Sequence, residues 1–321
     1  MQNKTHPAID QFETQIRAKL AGKTKPVGSL GRIEELAATI AHIQKSLTPR
    51  IETCHLTIFA GDHGMAEAGV SAFPQAVTRQ MVMNFLNGGA AANVFARSVG
   101  ATVQVVDAGV AGEPLEHPDL CMRRIAGGTR NAIEQAAITT EQLQSAMTAG
   151  RDLGRAIQAD VACFGEMGIG NTSAASLVAA KIIGRPVTDL TGRGTGLDDD
   201  GLKRKIVLLE KAAVRTAARL AVGEALSEYG GFEIAMMAGA MIGAAAHKKV
   251  VMVDGFIATV AALCAREIDA ATEKNFVFAH KSAESGHRLV LDAMQAQPLL
   301  EFDMRLGEGT CLLYTSDAAD D

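Results

Sequence analysis

Val161-Ala162-Cys163-Phe164 runs straight into Gly165-Glu166-Met167-Gly168-Ile169-Gly170-Asn171-Thr172-Ser173, and Ala174–Ile183 then follows with a helix-forming composition. Four unbroken apolar residues stopped by glycines read as a short strand buried on both faces. The same pattern recurs along the chain. Leu56–Ala60 runs into Gly61-Asp62-His63-Gly64, and Val103–Val106 into Asp107-Ala108-Gly109. Val250–Val253 runs into Asp254-Gly255, and Phe276–Ala279 into His280-Lys281-Ser282. Helical segments are expected over 8–20 and 31–47, joined by a turn-rich stretch, Lys23 to Gly31. Thr139 with Gln142 forms a capping-box pair that opens another helix. Leu202, Ile206, Leu209 and Ala213 lay an apolar face on a further one. Short apolar strands alternating with helices predict an α/β fold, with a mainly parallel sheet covered by helices on both faces. No repeat or low-complexity linker divides the chain.

In such sheets ligands bind beyond the carboxyl ends of the strands, where the loops quoted above lie. Glycines in Gly165–Gly170 let backbone approach an anion. Asn171, Thr172 or Ser173 is placed to cap the helix that follows, whose free N–H groups suit a phosphate. A plain glycine turn with an N-cap is the alternative, since the spacing matches neither a P-loop nor a dinucleotide fingerprint. A second glycine loop, Thr191-Gly192-Arg193-Gly194-Thr195-Gly196-Leu197-Asp198-Asp199, precedes Lys203, Arg204 and Lys205. Any of these three could add charge to a phosphate site or simply face solvent. Asp107 and Asp254 each follow a strand and could bind a sugar hydroxyl or cap the next turn. Asp62 and His63 lack further ligands at metal spacing, so no metal site is expected, and a structural Asp and His is the better reading. Glu308 stands between Gly307 and Gly309, where a carboxylate can come close to a substrate.

Composition narrows the function. The chain has 321 residues and a net charge of −5, with no block of basic residues, which argues against nucleic-acid capture. Aromatics make up 4% and Trp is absent, so stacking platforms for bases are not expected. No apolar run reaches the ~18 residues that suggest a membrane span, and Met1 to Leu20 lacks a signal-peptide core. A soluble, cytoplasmic protein is expected. The five cysteines, Cys54, Cys121, Cys163, Cys264 and Cys311, are scattered and read as reduced thiols.

Taken in order, several stretches resemble one family, the phosphoribosyltransferases that join 5,6-dimethylbenzimidazole to nicotinate mononucleotide in cobalamin synthesis. They begin with Lys25-Pro26-Val27-Gly28-Ser29-Leu30-Gly31, Gly61-Asp62-His63-Gly64 and Gly69-Val70-Ser71-Ala72-Phe73-Pro74-Gln75. They continue with Val77-Thr78-Arg79-Gln80-Met81, Asn87-Gly88-Gly89-Ala90-Ala91, Gly165 to Thr172, Thr191 to Leu197, and Arg305 to Thr310. The resemblance covers about Lys23 to Thr310. It implies a doubly wound core over 51–310, a small helical domain to which 1–50 contributes, a homodimer, and no cofactor. It implies Glu308 as catalytic base. It places Glu166, Gly168, Gly170, Asn171, Thr172 and Lys205 around the ribose phosphate, and Gln80, Ser71 and Phe73 in the benzimidazole pocket. The reaction implied gives α-ribazole 5′-phosphate and nicotinate. A transferase for another azole or purine base, or a non-catalytic nucleotide-binding protein, are the competing readings. After Thr310 the family continues in small residues, whereas this chain reads Cys311-Leu312-Leu313-Tyr314-Thr315-Ser316-Asp317-Ala318-Ala319-Asp320-Asp321. That tail, 311–321, is expected to be foreign to the family pattern and to leave the Glu308 loop less restrained.

Overall fold

The computed structural model describes residues 11–304 and 306–309, so the divergent tail lies outside the described residues. In chain order come α1 (Gln11–Ala21), α2 (Arg32–Gln44), β1 (Cys54–Gly61), α3 (Ala76–Leu86), α4 (Ala91–Ser98), β2 (Thr102–Gly109), β3 (Leu120–Met122) and α5 (Thr140–Ala156). Then follow β4 (Val161–Met167), α6 (Asn171–Ile183), α7 (Val187–Leu190), α8 (Asp199–Ala213), α9 (Val222–Tyr229), α10 (Phe232–Ala246), β5 (Val250–Val253), α11 (Phe256–Ile268), β6 (Phe276–Phe278) and α12 (Ser285–Ala293). The six strands form one sheet in the order β3-β2-β1-β4-β5-β6, and every neighbouring pair is parallel.

All five expected strands are present; β3 was not foreseen. The sheet is covered on both faces, as near-continuous apolar strands require. Leu56, Ile58 and Ala60 of β1 point to one face and pack with Val82 and Phe85 of α3, Ala92 and Ala96 of α4, and Ile40 and Ile43 of α2. Phe59 and Phe164 point to the other, into the larger core built by α5, α6, α10 and α11. The Thr139 capping box is formed, with Thr139 Oγ1 accepting from Gln142 N at 3.2 Å. On α8, Leu209 is buried and Leu202, Ile206 and Ala213 are half-buried beside it.

Helix α10 is apolar almost throughout and buried, and it packs along α5 at very short range. A side chain at Gly150 or Gly154 of α5 would overlap the backbone of Met236 or Ala240, and one at Gly239 or Gly243 would meet Met147 or Arg151. The seam therefore tolerates only hydrogen at these four positions. Gly154→Ala is expected to lower stability by about 1–3 kcal/mol through overpacking, read as a lower denaturation midpoint with an unchanged m value.

Candidate active site

The chain builds β1, β2 and β3 outward on one side, then crosses to β4, β5 and β6 on the other. The strand order thus reverses between β1 and β4, and a crevice opens beyond their carboxyl ends. After β4 the backbone turns through Gly168, Ile169 and Gly170, and Gly170 has φ 99°. Here the structure corrects the sequence reading. The N-cap of α6 is Gly170, and no side chain caps it. The left-handed glycine turns the chain, and Asn171, Thr172 and Ser173 form the first helical turn, in which Asn171 N donates to the Gly168 carbonyl and Ser173 N to the Gly170 carbonyl. The Asn171 side chain, not needed as a cap, turns to Glu166 instead, and its Nδ2 donates to Glu166 Oε2.

Glu308 arrives from the far end of the chain. It holds φ 69°, in the left-handed region, and Gly309 after it has φ 75°. The segment lies flat on β4, because a Cβ at Gly165 would sit 2.5 Å from the Glu308 carbonyl carbon. A Cβ at Gly309 would sit 2.6 Å from Leu56 Cδ1. Glycine at 165 and 309 is what allows the loop to reach the crevice. Glu308 Oε2 accepts from Ala92 N, in the first turn of α4, at 3.4 Å. Burial raises the Glu308 carboxyl above the ordinary range, against the lowering effect of the Ala92 bond.

The crevice is lined by Glu166, Asn171, Thr172, Asp254, Ser282 and Glu308. It continues into a smaller pocket bordered by Ser71, Gly170, Arg193, Gly194 and Lys205. Thr172 and Gly194 are common to both. Lys205, 1% exposed, donates to Thr172 Oγ1 at 3.0 Å and to the Gly192 carbonyl at 3.1 Å. Burial pulls its ammonium down to about 8, only partly offset by Glu284. Asp254 lines the crevice with His280 Nδ1 at 3.6 Å, and burial pushes that ring down to about 4. Asp107 instead takes the capping role, accepting from Val110 N at 2.8 Å. Phe73 and Gln80 are exposed and line neither cavity; only Ser71 of that segment does so.

Glu166 is pushed up to about 8, first by burial and then by the charges of Glu233, Asp254 and Glu308, against the Asn171 hydrogen bond. Folded, it keeps its proton to about pH 8, against 4.5 as the ordinary value. The folded chain binds an extra proton across that window, so stability falls as pH rises through it. Glu166→Gln is therefore expected to raise stability at pH 8 by an amount on the order of a few kcal/mol, read as a higher melting temperature. At pH 4 the two proteins are expected to melt together.

Glu233 was missed by the sequence reading. It is fully buried and pairs with His63 Nε2 at 2.7 Å. Its signal was a lone charge at the head of an otherwise apolar helix. Asp62 accepts from Thr78 Oγ1 at 2.6 Å and from Ala111 N at 2.8 Å, so both residues of the Asp62-His63 pair are engaged within the protein. Among the described residues, no group of three or more His, Cys, Asp or Glu side chains is placed to hold a metal ion.

A doubly wound parallel sheet with a glycine turn, a buried lysine and two carboxylates near its switch point places the chain among α/β proteins that bind a small ligand there. A family model described as phosphoribosyltransferase matches residues 5–315. The chain is 50% identical over 305 residues to nicotinate-nucleotide–dimethylbenzimidazole phosphoribosyltransferase of Dechloromonas aromatica, covering 93% of this chain and 88% of that protein. It is 50% identical over 307 residues to the enzyme of the same name from Cupriavidus necator, covering 95% and 89%. Crystal structures of CobT and of nicotinate-nucleotide–dimethylbenzimidazole phosphoribosyltransferase, both from Thermus thermophilus, superpose with TM-scores of 0.92 and 0.91. Their identities are 38% and 36%, and they cover 96% and 97% of this chain and 93% of each. The chain belongs to this phosphoribosyltransferase family.

Proposed function

We propose that the protein transfers the phosphoribosyl group of nicotinate mononucleotide to 5,6-dimethylbenzimidazole, giving α-ribazole 5′-phosphate and nicotinate. The carrying observation is that Glu308, near the carboxyl end of the chain, is held on β4 beside the Glu166 crevice. The names of the relatives support the substrates. The donor's phosphate is assigned to the Gly168–Thr172 turn and Lys205, which border one small pocket at the start of α6. Glu166, Gly168, Gly170, Asn171, Thr172 and Lys205 form this half of the site. Ser71, Phe73 and Gln80 are assigned to the base. For Phe73 and Gln80, both exposed, this requires that the 71–75 loop and the Gln80 side chain turn toward the bound ring while Thr78 stays buried in place.

The chemistry follows from the two ring nitrogens. In the donor, ribose is joined to a pyridinium nitrogen, so cleavage returns that ring to neutrality and the leaving group needs no proton. The acceptor needs a base, because alkylating one benzimidazole nitrogen would leave a cation unless the other gives up its proton. Glu308, ionised, takes it. Attack from the face opposite nicotinate inverts the anomeric carbon, from a β donor to an α product. Alignment of the two substrates supplies further acceleration. Glu166, as a neutral acid, does not compete for the proton.

Nicotinate release that requires both substrates supports this assignment. Release with purines or other azoles but none with dimethylbenzimidazole would move the acceptor to another base, and binding without release would make the protein a non-catalytic binder. A homodimer in the cytoplasm belongs to the same reading. Exposed Val27, Leu30 and Ile33 give a second copy an apolar surface to cover, and no described helix is long and apolar enough to cross a membrane. Sedimentation at the mass of two chains is expected, and a monomer would contradict the pairing.

A further inference from the structure

We propose that Thr78, Asp62, His63 and Glu233 form a positioning network that holds the Gly168–Gly170 turn in its phosphate-binding shape; this rests on reading that turn as the donor-phosphate site. The turn is two glycines around Ile169, and such backbone has many conformations open to it. Its central amide is tied down from below. Ile169 N donates to Thr78 Oγ1 at 3.0 Å. The same hydroxyl donates to Asp62 Oδ1 at 2.6 Å, and Asp62 Oδ2 is fixed by Ala111 N at 2.8 Å. One hydroxyl on α3 therefore links the turn after β4 to the turn after β1.

His63 supports the flanking glycines. The Cβ positions at Gly168 and Gly170 would lie 3.6 Å from His63 Cδ2 and 3.2 Å from His63 Cβ. The ring itself is anchored by Glu233 Oε1 at 2.7 Å, from the first turn of α10. Thr78, Asp62, His63 and Glu233 are all 1% exposed or less, and none of them lines the crevice or the pocket beyond it. They reach the ligand through the turn, and Glu233 also through its charge on Glu166. Burial works against a charged His63 ring, but Glu233 and Asp62 together outweigh it and hold the proton. An ion pair at this depth contributes little net stability compared with apolar packing. Its position against the turn gives it a different use: it fixes the turn before substrate arrives, so that binding does not have to order it.

The test uses the full chain with Thr78→Val, Thr78→Ser and Glu233→Gln. Affinity for inorganic phosphate is read by calorimetry, and KM is measured for each substrate. Thr78→Val removes both hydroxyl bonds at nearly constant volume. It is expected to weaken phosphate binding and raise the KM for nicotinate mononucleotide by about tenfold or more, with the KM for dimethylbenzimidazole within about twofold. Thr78→Ser, which keeps the hydroxyl, is expected to restore both values. Glu233→Gln, which keeps an oxygen for His63 but not the charge, is expected to show the same split between donor and acceptor. Unchanged phosphate affinity in Thr78→Val overturns the network, as does a parallel rise in both KM values or failure of Thr78→Ser to restore. Unchanged donor KM in Glu233→Gln removes His63 and Glu233 from it. Wild type that binds phosphate but releases no nicotinate would condemn the reaction assigned above and leave the network to be judged on phosphate binding alone.

Discussion

Glu308→Gln is expected to bind nicotinate mononucleotide as the wild type does and to transfer its phosphoribosyl group about 10²–10⁴-fold more slowly. The substitution keeps volume and the oxygen that accepts from Ala92 N, so the loop on β4 has no reason to move. What it removes is the ability to take a proton from the attacking base. Donor binding is expected to survive because the turn and Lys205 are untouched, which places the effect in kcat. Glu308→Asp should recover little, since a side chain shortened by one methylene cannot follow the substrate while the backbone is pinned at Gly165 and Leu56. The pH profile carries the same signature. A base must be ionised, and burial raises this carboxyl above the ordinary range. Activity is therefore expected to fall on acidification, beginning at a higher pH than an exposed glutamate would give. Steady-state kinetics with donor binding measured separately would check this, and a variant that loses affinity and turnover together would contradict it.

Lys205→Met is expected to raise the KM for the donor by about 10-fold to 100-fold while making the empty protein more stable. Hydrogen bonds to a charged group are worth about 1.5–3 kcal/mol, which sets the first figure. The second follows from burial. Lys205 is 1% exposed, and its ammonium is pushed down to about 8 from 10.5. Below that value the fold must hold the charge out of water, so the site costs on the order of a few kcal/mol near neutral pH. That cost diminishes as pH rises through the window between the two values, because the unfolded chain then binds the extra proton. A phosphate dianion would reverse the penalty by giving the cation a partner. Methionine fills the same space without charge, so its melting temperature should rise at pH 7 and approach the wild type near pH 10. A lower melting temperature at pH 7 would mean that Lys205 serves the fold rather than the ligand.

Much of this architecture was readable in advance because strands buried on both faces must be short and apolar, and they must end where the chain turns. Leu56–Ala60 and Val161–Phe164 each stop at a glycine and are too short for a helix of ordinary length. Leu120-Cys121-Met122 could not be seen the same way: three residues carry no period, and their pairing comes from lying beside β2. Lys203, Arg204 and Lys205 were equivalent on composition. Helical spacing separates them, since only Lys205 falls in line with buried Gly201, Leu209 and Ala212. Family resemblance, rather than pattern, singled out Glu308, because a carboxylate between glycines says nothing about the strand it will lie on. Cys54 and Cys163, far apart in sequence, stand with their sulfurs 3.3 Å apart across β1 and β4, a closeness only the parallel register creates.

The most direct test is to identify the product formed from nicotinate mononucleotide and 5,6-dimethylbenzimidazole by wild type and by Glu308→Gln, resolving its mass by chromatography and its anomeric configuration by NMR. The account predicts an α-linked ribazole phosphate, released with one nicotinate per turnover by the wild type and nearly absent with the variant. A β-linked product, ribose phosphate from attack by water, or equal yields from the two proteins would contradict it.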